Sequence, residues 1–142
     1  MKSNNLQYSP RRSDYDVTNT VRVSSAADVR DAVQELLESA WPGLPFGPVA
    51  RAFHDFELAF TGRMPGYFGV DTVYHDQQHT LDVTLAMARL MVGYERSHAG
   101  TPQALGAERA AVGIFLALFH DIGYLRERNE TAQNGAEFTR NH

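Results

Sequence analysis

Residues 107–121 read AERAAVGIFLALFHD, and this stretch decides the fold class of the chain. Every position from Ala110 to Phe119 is apolar or glycine, which predicts a helix that is buried on nearly all sides. The helix ends on His120 and Asp121. Burying an imidazole beside an ionised carboxylate is costly unless both groups are satisfied, and a divalent metal ion would satisfy both. The same pair is also consistent with a helix end whose last polar residues reach solvent.

Three earlier segments have helical patterns of their own. The first begins after Ser25, whose spacing from Asp28 resembles a capping box, and the Trp-Pro-Gly sequence at residues 41–43 ends it. The second begins near Pro48, a residue suited to a first helical position, and carries a stripe of phenylalanines. The third covers about residues 74–94.

The rest of the chain adds one more helical segment and no strands. A last helical piece is expected from about Asn129, and no stretch keeps up the two-residue alternation of a strand. We therefore predict an all-α helical bundle. Residues 1–24 show no periodicity and are predicted to be a mobile N-terminal arm, with residues 25–142 as the helical domain.

The composition excludes several classes of protein. The 142 residues include six histidines and no cysteine, which excludes disulfides, thiolate metal sites and cysteine nucleophiles and leaves histidine as the soft metal ligand. With a formal net charge of -4, the chain lacks the basic footprint of a dedicated nucleic-acid binder. No apolar run approaches the roughly 20 residues that cross a bilayer, and no secretory signal is visible. We therefore expect no membrane association and a cytoplasmic location.

A second polar cluster reads YHDQQHTLDVT over residues 74–84. On a helix, His75 and His79 are four residues apart, so their imidazoles would share a face. Asp82 lies three residues beyond His79, where its carboxylate could orient an imidazole that binds metal through its other nitrogen. Solvated or simply hydrogen-bonded histidines would give the same pattern.

Taken together and in this order, the two clusters resemble the HD superfamily of metal-dependent phosphohydrolases. Residues 74–84 are similar to the first metal-binding motif of the class I cyclic-nucleotide phosphodiesterases. Residues 118–124 (LFHDIGY) are similar to the HD motif of the smaller bacterial HD hydrolases, and residues 129–132 (NETA) to the acidic segment that often follows it. The resemblance covers roughly residues 74–142 and implies an HD-domain-like helical bundle.

The resemblance implies a role for each matching residue. His79, His120 and Asp121 would be metal ligands for one or two divalent ions (Mn, Fe, Co, Ni, Zn or Mg), with Asp121 bridging a binuclear site. His75 would protonate the leaving oxygen, and Glu130 would position water or adjoin a second metal ion. The implied substrate is a small phosphorylated molecule of the nucleotide type, either a phosphomonoester or a phosphodiester such as a cyclic nucleotide.

The chain departs from the family's pattern at several points, and two of them concern the site. The phosphodiesterases have an asparagine where this chain has Asp76. The superfamily's distal aspartate ligand has no counterpart, because residues 122–142 contain no aspartate. We therefore expect the chain to be truncated at its C-terminus. Four residues are candidates to complete the site: Glu127, Glu130, Glu137 and His142.

Two alternatives to a phosphohydrolase stay open. An HD module without the distal ligand could bind a nucleotide or a protein partner without turnover, and some HD-type proteins are di-iron oxygenases. A shortened bundle would also expose apolar helix faces, so we expect a homodimer or a helix-swapped oligomer. A further His-Asp pair, His54-Asp55, has no paired histidine upstream and is interpreted as structural.

Overall fold

The computed structural model describes residues 13–129 and 131, and this part of the chain is helical. Four α-helices follow one another in the order α1 (Ala26–Ala40), α2 (Gly47–Phe60), α3 (Gln77–His98) and α4 (Ala107–Phe119), and a 3₁₀ turn covers Ile122–Tyr124. Within the described residues, extended pairing is limited to two isolated bridges. The prediction of an all-α fold is thus confirmed, while the helical piece expected from Asn129 lies mostly outside the described residues.

Helix α1 begins as its sequence predicts. The Ser25 hydroxyl accepts a hydrogen bond from the amide of Asp28 at 3.2 Å, which satisfies one of the free N–H groups of the first turn. Val29, Val33 and Leu37 recur at helical spacing and are fully buried. Burial of this stripe against the other helices, rather than intrinsic propensity, holds α1 in place.

Helix α3 begins later than predicted. It starts at Gln77 rather than near Tyr74, because Asp76 has extended backbone geometry and its carboxylate accepts from the amide of His79 at 2.8 Å. Aspartate is a preferred N-cap residue, so the helix begins at the residue that follows Asp76. His75 therefore lies outside the helix, and the expectation that His75 and His79 share one helical face is wrong.

The core lies where α3 packs against α1 and α4 and where α2 packs against α4. The largest fully buried side chains come from all four helices and include Leu37, Phe56, Leu81, Leu85, Ile114 and Leu118. Helix α4 departs from its predicted burial on nearly all sides. Val112 and Leu116 are 52% and 66% exposed, because within the described residues the packing partners of α4 cover only its other side.

Residues 13–24, the described part of the predicted arm, contact α3. The side chain of Gln78 donates a hydrogen bond to the carbonyl of Ser13 at 2.7 Å, and Arg89 pairs with Asp16 at 2.8 Å. Residues 1–12 lie outside the described part of the chain. No helix among the described residues has the length and apolar character needed to cross a membrane.

The loop after α2 is tied to the segment that follows α4. The amide of Phe68 donates to the carbonyl of Arg126 at 3.1 Å, and the amide of Arg128 donates to the carbonyl of Gly66 at 2.9 Å. Arg126 also pairs with Asp71 at 2.9 Å. We call residues 66–71 and 126–128 together the loop–tail clip. It joins the segment that precedes His75 to the segment that follows Asp121.

Candidate metal centre

Three imidazoles surround one oxygen of Asp121. The Oδ2 atom lies 2.9 Å from Nδ1 of His75, 3.6 Å from Nε2 of His79 and 3.1 Å from Nε2 of His120. The Asp121 side chain is only 9% exposed, and that of His79 is 17% exposed. The His75 and His120 side chains are 37% and 36% exposed, so these two rings form the solvent-facing rim of the cluster.

The most compact potential metal site combines His75, His79 and Asp121. Each offers one ligand atom, and the three atoms lie within 4.8 Å of one another, so this group could hold a metal ion. His120 is outside this compact group, although its Nε2 faces the same carboxylate oxygen. The predicted ligands His79 and Asp121 thus lie together, with His120 beside them. His75, which was predicted to be a proton donor and not a ligand, lies within the same compact group.

Each ligand candidate reaches the cluster from a different element. His79 lies in the first turn of α3, where the Asp76 cap holds its backbone amide. His120 is the C-cap of α4, and Asp121 follows it at the start of the 3₁₀ turn. His75 comes from the segment before α3. The end of α4 and the beginning of α3 therefore meet at the site, which agrees with the packing of these two helices.

The tautomer of His120 gives a test of whether a cation fits. Its Nδ1 lies 2.7 Å from the carbonyl of Ala117, and a carbonyl only accepts, so Nδ1 carries the proton. In neutral His120 the lone pair of Nε2 then faces the Asp121 carboxylate at 3.1 Å. Two acceptors at that distance repel unless a proton or a metal ion lies with them. The donor set is therefore chemically suited to a cation.

The distances to Asp121 are close to those between ligands of one ion. Nitrogen and oxygen ligands bound about 2.1 Å from one metal lie roughly 3.0 to 3.4 Å from each other. The His120 nitrogen lies within that range of Oδ2, at 3.1 Å, whereas the His75 nitrogen is closer, at 2.9 Å, and the His79 nitrogen is farther, at 3.6 Å. Imidazole and carboxylate together suit Mn, Fe, Co, Ni or Zn better than a site made for magnesium alone.

The remaining sequence candidates lie elsewhere. Asp82 lines a cavity of about 400 Å³ beside Asp16 and Arg89. Glu127 is exposed and belongs to the bridge with Tyr67. Three residues lie outside the described part of the chain: Glu130, Glu137 and His142. Both members of the His54-Asp55 pair are exposed on α2, and the potential metal group does not include them.

Two aromatic residues next to the imidazoles were not predicted from the sequence. Tyr124 stacks on His75, with ring centroids 4.7 Å apart and an angle of 15° between the planes. The ring centroid of Tyr74 lies 5.1 Å from that of His75 and 4.6 Å from that of His79. The sequence places Tyr124 three residues after Asp121, but it does not indicate a contact with His75. That contact depends on the 3₁₀ turn, which brings the tyrosine ring against the imidazole.

Comparisons of the chain with family models, with curated proteins and with solved structures gave no match. The chemistry of the site therefore has to be argued from its own residues.

Proposed function

We propose that this chain is a metal-dependent phosphohydrolase that acts on a nucleotide-type phosphomonoester or phosphodiester. The observation that carries the proposal is the convergence of three imidazoles on one buried carboxylate oxygen. The order of the two motifs, histidines first and the His-Asp pair at the end of a later apolar helix, adds support through its resemblance to the HD superfamily. The compartment we propose, by default, is the cytoplasm.

In this proposal, His79, His120 and Asp121 hold the divalent ion or ions. A bound divalent ion lowers the pKa of water and offsets the negative charge of phosphate oxygens. Asp121 is the most buried member, and three imidazole nitrogens face its Oδ2 atom, which suits a residue that fixes the position of its neighbours. The Nδ1–H bond of His120 to Ala117 fixes the tautomer that presents Nε2 to the site.

His75 is the residue that we propose for proton transfer. Its Nδ1 is held 2.9 Å from Asp121, which leaves Nε2 as the nitrogen for exchanging a proton. Its side chain is more exposed than that of His79, so an incoming ester can reach it. A protonated His75 would give its proton to the leaving oxygen as the phosphorus–oxygen bond breaks, and water would supply the new oxygen on phosphorus.

One observation favours a second candidate, an iron-dependent oxygenase. The compact group of His75, His79 and Asp121 contains two histidines and one carboxylate. That ligand set is typical of non-haem iron(II) oxygenases when they occupy one face of the metal. In this alternative His75 is a metal ligand and not a proton donor.

The experiment that tests the proposal is a phosphoester assay on the chain loaded in turn with manganese, cobalt, zinc or iron(II). The substrates are p-nitrophenyl phosphate, its bis-ester, and a panel of linear and cyclic nucleotides. We expect metal-dependent phosphoester hydrolysis that is lost with EDTA and falls at least about 100-fold in Asp121→Asn. The matched control is His54→Gln, which alters the exposed His-Asp pair on α2 and should leave the rate unchanged.

The same preparation separates the two candidates. Oxygen uptake in the presence of iron(II), without hydrolysis of any ester, would favour the oxygenase. Absence of hydrolysis with every metal, in a chain that demonstrably binds those metals, would contradict the phosphohydrolase proposal.

A further inference from the structure

Among the described residues of the imidazole cluster, His75 lies neither within a helix nor at a helix cap, whereas His79 lies in α3 and His120 is the C-cap of α4. His79 is fixed by the first turn of α3 and by the Asp76 cap, and His120 by the end of α4 and its bond to Ala117. His75 lies before α3, so its backbone is not held by a helix in this way. Its ring orientation must therefore come from the side chains against which it packs.

Tyr124 supplies the flat surface against which the His75 ring lies. The two centroids are 4.7 Å apart and the rings are 15° from parallel, which is stacked geometry. A stack restricts rotation of the imidazole about its side-chain bonds. The ring is thereby kept in the orientation that points Nδ1 at Asp121.

Two features of the backbone place Tyr124 there. The amide of Tyr124 donates to the carbonyl of Asp121 at 3.0 Å, which forms the 3₁₀ turn and sets the tyrosine a fixed distance from the carboxylate. The loop–tail clip then joins the segment after Tyr124 to the segment before His75. Both partners of the stack are therefore anchored to the same pair of backbone segments.

We propose that Tyr124 is a positioning residue that orients the His75 imidazole toward Asp121, through its aromatic face and not through its hydroxyl. This inference deepens the proposed function, since it concerns the same site. Tyr124 would have this positioning role whether His75 is a proton donor or a metal ligand, because both roles need a fixed imidazole ring.

The first test uses nuclear magnetic resonance of the metal-free chain, and compares the imidazole nitrogens of His75 in four variants. The measurement is made in alkaline buffer, and the two tautomers of the neutral imidazole are the species compared. Tyr124→Phe should keep one tautomer with the proton on Nδ1. Tyr124→Leu and Tyr124→Ala should show averaging of the two tautomers and loss of the ring-current shift. Tyr94→Ala is the matched control, because Tyr94 stacks on His98 at 4.0 Å and the same 15° outside the cluster.

The second test measures cobalt(II) affinity and the visible spectrum of the bound ion. We expect the phenylalanine variant to match the parent chain in affinity and spectrum. The leucine and alanine variants should show an altered spectrum, because His75 contacts the proposed ligand Asp121, and should bind cobalt about 10-fold more weakly only where His75 is itself a ligand. Tyr124→Leu guards against misfolding, because it keeps apolar bulk while removing the aromatic face.

The outcomes separate this inference from the proposed function. If the parent chain binds no cobalt, the proposed function fails, and the tautomer comparison still decides the role of Tyr124. If Tyr124→Leu and Tyr124→Ala keep the parental His75 resonances, the positioning role is overturned whatever the chain does with metal.

Discussion

At the scale of single residues, the site depends on which nitrogen each histidine turns toward Asp121. His75 presents Nδ1, whereas His79 and His120 present Nε2. For His120 the choice is forced by the carbonyl of Ala117, which leaves a lone pair facing a carboxylate. That contact is favourable only with a cation or a proton between the groups, so the residue geometry itself calls for one.

His75 and His79 have different proposed roles, and their replacement should have different effects. We expect His79→Gln to lose metal, because in the proposed site its mostly buried ring is a ligand. His75→Gln should retain most of the metal while hydrolysis falls about 100-fold, within the usual range for loss of a general acid. Metal content by elemental analysis, measured beside the rate, separates the two effects. Equal metal loss in both variants would instead make His75 a ligand and favour the oxygenase.

At the scale of elements, the ends of helices are what assemble the site. The first turn of α3 and the last turn of α4 meet there, and the loop–tail clip brings in the two segments outside the helices. His79, His120 and Asp121 could be predicted from the sequence as ligand candidates, because apolar spacing identifies the helices and the two polar clusters together resemble the HD superfamily. The stack of Tyr124 on His75 could not, since it depends on how two irregular segments pair.

The start of α3 shows the same limit on a smaller scale. Polar residues at 75–79 are compatible with a helix, so the predicted helix began at Tyr74. Asp76 competes by bonding the amide of His79, and a side chain that caps a helix excludes the preceding residue from it. The spacing of His75 and His79 suggested a shared helical face. The structure brings the two rings within 5.4 Å through a loop instead.

The loop that leads from α2 toward His75 depends on a close approach of two glycines. A Cβ atom on Gly69 would lie 2.9 Å from both the backbone nitrogen of Gly62 and the carbonyl oxygen of Phe60. We expect Gly69→Ala to lower the free energy of unfolding by about 2 kcal/mol, because backbone atoms cannot move aside as a side chain can. Urea denaturation measures this.

The matched control for that loop is Gly93→Ala, which lies in α3 with open space around the added carbon. It should raise the free energy of unfolding by up to about 1 kcal/mol through helix propensity alone. A Gly69→Ala variant as stable as the parent would contradict the close approach.

The segment before α1 is held to α3 by an acid-sensitive contact. The Asp16 carboxylate accepts bonds from the backbone of Thr18, Thr20 and Val21 and from the Thr18 hydroxyl, and it pairs with Arg89. Burial raises the pKa of Asp16, but these hydrogen bonds together lower the pKa well below its usual range. The folded chain therefore favours the ionised carboxylate more than the unfolded chain does.

This shift predicts a pH dependence of stability. The contribution of Asp16 should be fully present above the unfolded pKa of about 3.9 and should be lost as pH falls below it toward the lower folded value. Asp16→Asn should be less stable than the parent at neutral pH, and the difference should shrink in acid. Chemical denaturation at neutral pH and near pH 3 measures it. A difference that stays constant between the two pH values would contradict the role of the charge.

At the scale of the whole molecule, α4 presents an apolar surface to solvent. Val112 and Leu116 are exposed on α4, and Leu90 on α3 is 71% exposed. Exposed apolar surface promotes association in water. The homodimer expected from the sequence remains a prediction, and this surface is where we expect it to form.

Sedimentation velocity over a range of concentrations tests that expectation. The parent should associate as concentration rises, and Leu116→Lys should stay closer to the monomer because a buried ammonium opposes the contact. Val17→Lys is the control, since Val17 is fully exposed in the segment before α1. A parent chain that stays monomeric at the highest concentration would contradict the predicted homodimer.

The proposed metal centre is tested most directly by elemental analysis of metal content after loading and desalting, in the parent chain and in Asp121→Ala. Asp121→Asn, which keeps the size of the side chain, is measured as well. Circular dichroism of both variants verifies that any loss of metal is not due to unfolding. We predict near-stoichiometric transition metal in the parent and little in either folded variant, because all three imidazoles face the carboxylate that is removed. A parent chain that binds no metal, or variants that bind as much as the parent, would contradict the metal centre.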